Sequence, residues 1–368
     1  MRFLPRGGWG RLGLGLANSV IPVVAAFALG AIIIALVGEN PWTTYQFMFN
    51  QTLFDAGGFL KTLHYATPLV LTGLAIAITF KANVFNMGVE GQMLGGAFTA
   101  CVIGFSVQGL PSIAHVGLAL LAAIVVGMLL ALIPALLKAY LGVNEIVVTL
   151  MLNYAIIEVL RVLSQTVFRD ASSGYVSTPS VLPTAMFTRL FGTSLTLFSL
   201  VVLVVFAAMY VVFAHSKLGY EVTAMGINPD FAEASGMNVR RKIMTIMLIS
   251  GALSGLAGAG FMLSEKFKYT LDFSGNPGLG WDGMLVALLG GHNPVAVLIA
   301  AVLYAALKTG ADAVSIYSYV PKEIVAVIQG LIILLLSIRY ITRKPGGRSR
   351  KTTPTTTERR EPAEAVKA

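Results

Sequence analysis

The stretch VGLALLAAIVVGMLLALIPALL, residues 116–137, decides the class of this protein. It carries no ionisable side chain and exceeds the roughly 18 apolar residues that mark a membrane-crossing helix. Working outward, comparable runs stand at 19–38, 63–80, 92–110, 146–163, 194–214, 243–263, 294–311 and 322–339, nine in all. A tenth run, Met284 to Gly291, is too short to cross alone and reads as a broken or re-entrant segment, eighth in chain order. Composition agrees. Of 368 residues, 56% are hydrophobic and 12% are charged, and the mean hydropathy is +0.79. Soluble domains carry about 25% charged residues, so too little charge is present to coat a soluble surface and a soluble enzyme is excluded. The expectation is an all-α polytopic membrane protein of about ten transmembrane helices.

An even number of crossings puts both ends on one side. Lys and Arg total 18 on that side's flanks and 8 on the other, which places both termini in the cytoplasm. Arg339 to Lys367 holds nine of them, and without that stretch the split is 9 to 8, so the termini carry the orientation. The net charge of +9 is therefore an effect of the tail. A basic tail beside a span meets anionic lipid, and no aromatic-interleaved groove points to nucleic acid. The transmembrane domain is expected over 1–344, followed by a disordered basic cytoplasmic tail over 345–368 that lacks apolar periodicity. Residues 39–62 and 164–193 read as outer loops. In the second, Ser172, Ser173, Gly174, Pro179 and Pro183 suit either a surface that meets a partner or gates an entrance, or a plain connector. Residues 19–38 offer no cleavage signature and read as a retained first helix. Cys101, the only cysteine, reads as packing.

Missing chemistry narrows the function. No G-x-x-x-x-G-K-[ST] loop is present, so ATP would have to be hydrolysed by another chain. His64, His115, His215 and His292 are far apart with no metal-ligand spacing, and no cofactor is expected. A Gly-x-Ser-x-Gly elbow is also missing. Ionisable residues within the spans are few, and Glu158 and Arg161, three apart, read as a structural pair. The pathway is expected to be polar through amides and hydroxyls.

Three segments stand out. In the first, around 80–99, Asn83, Asn86, Glu90 and Gln92 are threaded through Gly88, Gly91, Gly95 and Gly96. Broken backbone of this kind is tolerated at membrane depth only where it lines a cavity or is buried in protein, and amides there can serve an uncharged polar solute. A tight turn leading into a glycine-packed helix pair is the alternative. The second, 216–242, has Val222, Met225 and Ala232 as apolar contacts, a new helix capped at Asn228-Pro229-Asp230, and Gly236 to end it. It makes either a docking knob or an interfacial amphipathic connector. The third, Tyr269 to Pro294, resembles the first, since both follow a Phe-Lys pair (Phe80-Lys81, Phe267-Lys268) and reach a double glycine (Gly95-Gly96, Gly290-Gly291). Odd helix parity between them would make the repeat inverted.

These segments resemble the permease subunits of ABC importers of the branched-chain amino acid, ribose and nucleoside type, over most of residues 60–340. Asn83, Phe85, Asn86, Gly88, Glu90, Gly91, Gln92 and Met93 match the N-x-F-N-x-G-x-E-G-Q-M signature of the nucleoside and simple-sugar branch. Residues 224–238 are similar to the family's coupling loop, and Gly290-Gly-His-Asn-Pro294 resembles its late double-glycine turn. The resemblance implies a permease of the bacterial inner membrane that pairs with a second, related permease. It also implies two ATP-binding subunits and an extracytoplasmic solute-binding protein. On this reading Gly226, Asn228, Asp230, Glu233, Ala234 and Gly236 dock the motor, while Asn83, Phe85, Asn86, Glu90 and Gln92 lie along or beside the solute path. A nucleoside is the expected solute, with a simple sugar as the alternative. An ion-coupled secondary transporter is the remaining reading. Phe80, Phe85 and Phe98 either pack near a nucleoside base or belong to the core.

Overall fold

The computed structural model describes residues 24–317 except 26, 191 and 271–277, together with 327, 330 and 331. The expected first helix and the run at 322–339 lie partly outside the described residues, and 1–18 and the tail wholly so. Regular structure among the described residues is helical apart from two isolated β-bridges, Ser177–Thr270 and Arg189–Thr196.

In chain order the helices are α1 (Phe27–Leu36), α2 (Pro41–Phe49), α3 (Ala56–Lys81), α4 (Val89–Ser106), α5 (Ser112–Leu141), α6 (Glu145–Gln165) and α7 (Leu197–His215). They continue with α8 (Lys217–Ile227), α9 (Pro229–Ala234), α10 (Val239–Phe261), α11 (Leu279–Leu289) and α12 (Pro294–Tyr317). Among the described residues, six helices are long and apolar enough to cross a membrane: α3, α5, α6, α7, α10 and α12. The short run expected at Met284 to Gly291 is α11, which starts earlier and spans 11 residues. At 1.5 Å per residue that is about 16 Å, roughly half of a 30 Å hydrocarbon core. Residues 39–62, expected as a loop, are mostly helical. Asn40 Oδ1 accepts from Trp42 N–H with Pro41 at the first helical position, and Asp55 Oδ2 accepts from Gly58 N–H at 2.7 Å.

Burial separates a centre from a periphery. In α3 and α10, 83% of the most apolar window is buried, against 22% in α5 and α7. Glycine and alanine make that centre possible. On α5, Ala119, Ala123, Gly127, Ala131, Ala135 and Ala139 recur every fourth residue and are buried. On α10, Gly251, Gly255 and Gly258 answer them. A Cβ on Gly255 would stand 2.2 Å from the Ala123 carbonyl oxygen, and one on Gly258 would stand 1.9 Å from that of Met93 on α4. The three backbones therefore touch. Close contact of this kind gathers dispersion energy where lipid supplies no hydrophobic drive. Packing is crossed: α4 lies against α10, and α11 lies against α3, where Gly73 meets Val286.

Described residues of the 164–196 segment are laced onto the helix ends. Val181 N–H donates to Phe267 O at 2.9 Å, Leu182 N–H to Gly104 O at 2.9 Å, and Phe187 N–H to Leu263 O at 3.0 Å. Cys101 is buried there with its Sγ 3.3 Å from Thr178 Oγ1. Glu158 and Arg161 pair at 3.1 Å on the exposed side of α6.

The glycine seam gives a direct test. Gly255→Leu should abolish recovery of folded protein in mild detergent. Gly117→Ala, where an added Cβ meets nothing within 4 Å, should leave the melting temperature unchanged.

Candidate functional site

The site begins where α3 stops. Asn83 adopts φ +57°, a left-handed conformation asparagine tolerates, and the Asn83 and Val84 N–H groups turn back onto the Phe80 and Thr79 carbonyls. The chain then enters α4 through an irregular stretch whose N–H groups lack helical partners, and side chains of α6 supply them. Phe85 N–H donates to Glu145 Oε1 at 3.3 Å, Met87 N–H to Thr149 Oγ1 at 3.1 Å, and Gly91 N–H to Asn153 Oδ1 at 2.9 Å. Glu145, Thr149 and Asn153 recur every fourth residue, so one face of α6 forms a polar ladder. Lys138 holds Glu145 in place at 2.7 Å.

Asn86 and Gln92 form a reciprocal amide pair. Asn86 Nδ2 donates to Gln92 Oε1 at 3.0 Å and to Ser250 Oγ on α10 at 2.9 Å, and Gln92 Nε2 donates back to Asn86 Oδ1 at 3.2 Å. Both residues are fully buried. One turn away, the Glu90 carboxyl crosses to the start of α11 and accepts from Gly278 N–H at 3.1 Å and Gly280 N–H at 2.5 Å. Gly278, the N-cap of α11, has no side chain with which to cap. Glu90 thus does from α4 what an N-cap residue does locally, with its acceptor oxygens at the positive end of the α11 dipole. Gly280 must be glycine, because an added Cβ would lie 2.6 Å from the Glu90 backbone nitrogen. The first and third sequence segments are therefore one physical junction between two helix starts.

Of the residues read as substrate-path candidates, Asn86, Glu90 and Gln92 are buried, the first and third in the amide pair and Glu90 in its own bonds to α11. Phe85 sits outside these bonds, edge-on to Phe80 at 4.8 Å, and Asn83 is exposed at the turn. Phe98 is core, edge-on to Tyr269 at 5.0 Å and Phe168 at 5.6 Å.

The last turn of α3 gathers two further elements. The double-glycine turn after α11 places Gly291 and His292 at φ +55° and +61°, and Asn293 Oδ1 accepts from Val295 N–H to start α12. There the His292 ring packs edge-on to Phe80 at 5.6 Å. Burial, with the Lys81 charge nearby, holds its imidazole below the ordinary histidine range. From the other side α8 arrives, and a Cβ on Gly226 would be 2.1 Å from the Lys81 carbonyl oxygen. The hairpin of α8 and α9 forms as its sequence implies. Asn228 Oδ1 caps Phe231 N–H at 3.0 Å, Gly236 ends α9 at φ +83°, and Val222, Met225 and Ala232 are buried. Gly226 faces inward. Asn228, Asp230, Glu233, Ala234 and Gly236 are exposed, along with Tyr220, Ile227 and Phe231. The substrate-path and coupling-loop sets are thus separate clusters joined through the end of α3.

The sequence profile of the branched-chain amino acid transport system permease component matches residues 58–337. The chain belongs to this permease family. The guanosine ABC transporter permease NupP of Bacillus subtilis is 35% identical over 342 residues, covering 91% of this chain and 98% of its own length. The nucleoside ABC transporter permease NupB of Lactococcus lactis is 31% identical, covering 88% and 90%. The glucose ABC transporter permease TsgB13 of Haloferax volcanii is 33% identical, covering 88% and 87%.

Several residues of this permease escaped the reading of the sequence. The α6 ladder was visible as polar residues every fourth place in an apolar helix. Asp282 on α11 accepts from Tyr304 Oη at 2.7 Å and pairs with Lys308, both on α12. His64 Nε2 lies 3.3 Å from Glu265, which also accepts from Tyr65 Oη at 3.1 Å. Both clusters join residues far apart in sequence, so no local spacing announced them.

Removing the Glu90 carboxyl takes away the acceptor that the Gly278 and Gly280 N–H groups share at a buried helix start. Glu90→Ala should lower unfolding stability by on the order of 2–4 kcal/mol, read as a loss of melting temperature in detergent. Glu90→Gln, which keeps one acceptor oxygen, should recover about half of that.

Proposed function

We propose that the chain is a membrane-embedded permease subunit of an ATP-binding cassette importer for nucleosides. The observation that carries this reading is the likeness to the guanosine permease along nearly the whole of both chains, seconded by the nucleoside permease of L. lactis. The glucose relative at 33% identity favours a simple sugar as the second reading. Ten crossings fit the family, with α11 as a half-helix. The parallel between α3–turn–α4 and α10–turn–α11, in which Asn83 and Phe267 are left-handed non-glycine residues among the described ones, supports an inverted repeat. Both termini and the α8–α9 hairpin then face the cytoplasm, in agreement with the positive charge of the tail.

In this arrangement the ATP-binding subunits grip the exposed face of the hairpin at Asp230, Phe231, Glu233 and Ala234. A second permease subunit and a solute-binding protein complete the importer. Gly226 transmits the motion. Because α8 touches the Lys81 backbone with no side chain between, a displaced hairpin moves the end of α3 and with it the entry into α4. Asn83, Phe85, Asn86, Glu90 and Gln92 frame the backbone that borders the solute path, and the amide pair keeps that frame rigid while the helices around it tilt.

Purification from the native membrane in mild detergent should recover a P-loop ATPase whose turnover rises with guanosine and a solute-binding protein, and does not rise with glucose. Stimulation by glucose alone would favour the sugar reading. Uptake by the chain alone in vesicles, collapsed by an uncoupler and indifferent to ATP, would overturn the importer reading. A second test separates grip from transmission. Phe231→Arg or Glu233→Arg should lose the ATPase on purification. Gly226→Val should keep the ATPase and its hydrolysis while uptake falls by at least about tenfold, the cost of misplacing coupled groups by roughly 1 Å.

A further inference from the structure

Where α5 ends and α10 begins, an open groove of about 430 Å³ is lined by Tyr140, Arg240, Arg241, Met244 and Leu248 among others. Its volume falls in the range of roughly 300–1,000 Å³ typical of small-ligand sites. Its charge is unspent. Of the basic run at the start of α10, Lys242 pairs with Glu221 at 2.5 Å. Arg240 and Arg241 are exposed, and among the described residues no carboxylate lies within ion-pairing reach of either. The α10 helix opens at the same place, with Asn238 Oδ1 accepting from Arg241 N–H at 3.0 Å, so its positive dipole end adds to the two guanidinium groups.

Asn238 and Thr245 complete the polar side of the groove, and its apolar side is formed by Met244, Leu248 and the Tyr140 ring. Met244 and Leu248 follow Arg240 at intervals of four, one and two turns down the same face of α10. Opposite them, Tyr140 is 59% exposed and ends an exposed apolar stripe on α5 that contains Leu129, Ile133 and Leu136. A tyrosine at the foot of such a stripe sits at the depth where headgroups meet acyl chains. Two free arginines above a lipid-facing groove, flanked by an interfacial tyrosine, match an amphiphile with an anionic head. A soluble anion would leave the apolar half unused. A protein partner has a better surface in the hairpin, where Tyr220, Ile227 and Phe231 stand exposed.

We infer that this groove is a binding site for an anionic phospholipid, with the phosphate held by Arg240 and Arg241 and an acyl chain laid along Met244, Leu248 and the outer face of α5. The site rests on the start of α10 facing the cytoplasmic leaflet and is independent of which solute is carried. It ties the lipid leaflet to the two helices whose glycine seam forms the packed centre.

The test uses the full-length protein, delipidated in neutral detergent and offered phosphatidylglycerol, phosphatidylcholine or sn-glycerol 3-phosphate, with retained ligand read by native mass spectrometry. Phosphatidylglycerol should be retained at least about tenfold better than phosphatidylcholine, and the double variant Arg240→Gln/Arg241→Gln should erase that preference. Arg161→Gln, which removes an arginine at the far end of α6, should keep it. Both replaced arginines are exposed and form no ion pair among the described residues, so the double variant should melt like the wild type without lipid. Equal lipid retention by the double variant would overturn the proposal. So would competition by sn-glycerol 3-phosphate at matched concentration, which would make the site one for a soluble anion. Unchanged lipid retention with loss of the ATP-binding subunits would assign the arginines to a protein partner instead.

Discussion

A helix that starts inside a membrane-spanning protein exposes N–H groups that neither water nor its own turn can satisfy, and this constraint organises the centre of the permease. The chain meets it twice, at the starts of α4 and α11, by importing acceptors from elsewhere: Glu145, Thr149 and Asn153 from α6 for the first, and Glu90 from α4 for the second. Each unsatisfied group would cost about 1–3 kcal/mol, so these side chains are conditions for the broken backbone to exist. Glycine enters for the same reason, since Gly280 lets α11 come close enough for Glu90 to reach it.

That arrangement makes the end of α3 the crossroads of the molecule. The turn at Asn83 leads into the amide pair, the Phe80 ring carries the turn between α11 and α12, and the Lys81 backbone carries α8. The contact between α8 and α3 is made by backbone against a glycine, so under the proposed coupling role a displacement of the hairpin would meet no soft layer before α3. Rigid contact suits a subunit that must convert a distant closure into a change of access.

The sequence disclosed what depends on local pattern. Apolar runs marked the long helices, and Asn228 and Gly236 marked the bounds of α9. It also marked Asn86, Glu90 and Gln92 as unusual. What it withheld was their partners. Glu90 reads as a polar residue near a helix start, and nothing nearby says that its oxygens belong to Gly278 and Gly280. The contacts of Asp282 with Lys308 and of His64 with Glu265 were hidden likewise, since a contact between separate helices leaves no periodicity behind. Residues 39–62 were misread as loop because their apolar content is too low for a span, although Asn40, Pro41 and Asp55 supply ordinary helix-start chemistry.

The bond between Glu90 and α11 also imposes an order in time. Its two partners lie 190 residues apart in the chain, and at about 5–20 residues per second a ribosome needs roughly 10–40 s to cover that distance. Throughout that interval α4 has been made and its Glu90 carboxyl has no helix to cap. Until α11 is made, the Glu90 carboxyl needs other partners, water among them. The junction between α4 and α11 therefore closes only after the chain has been made through Gly280.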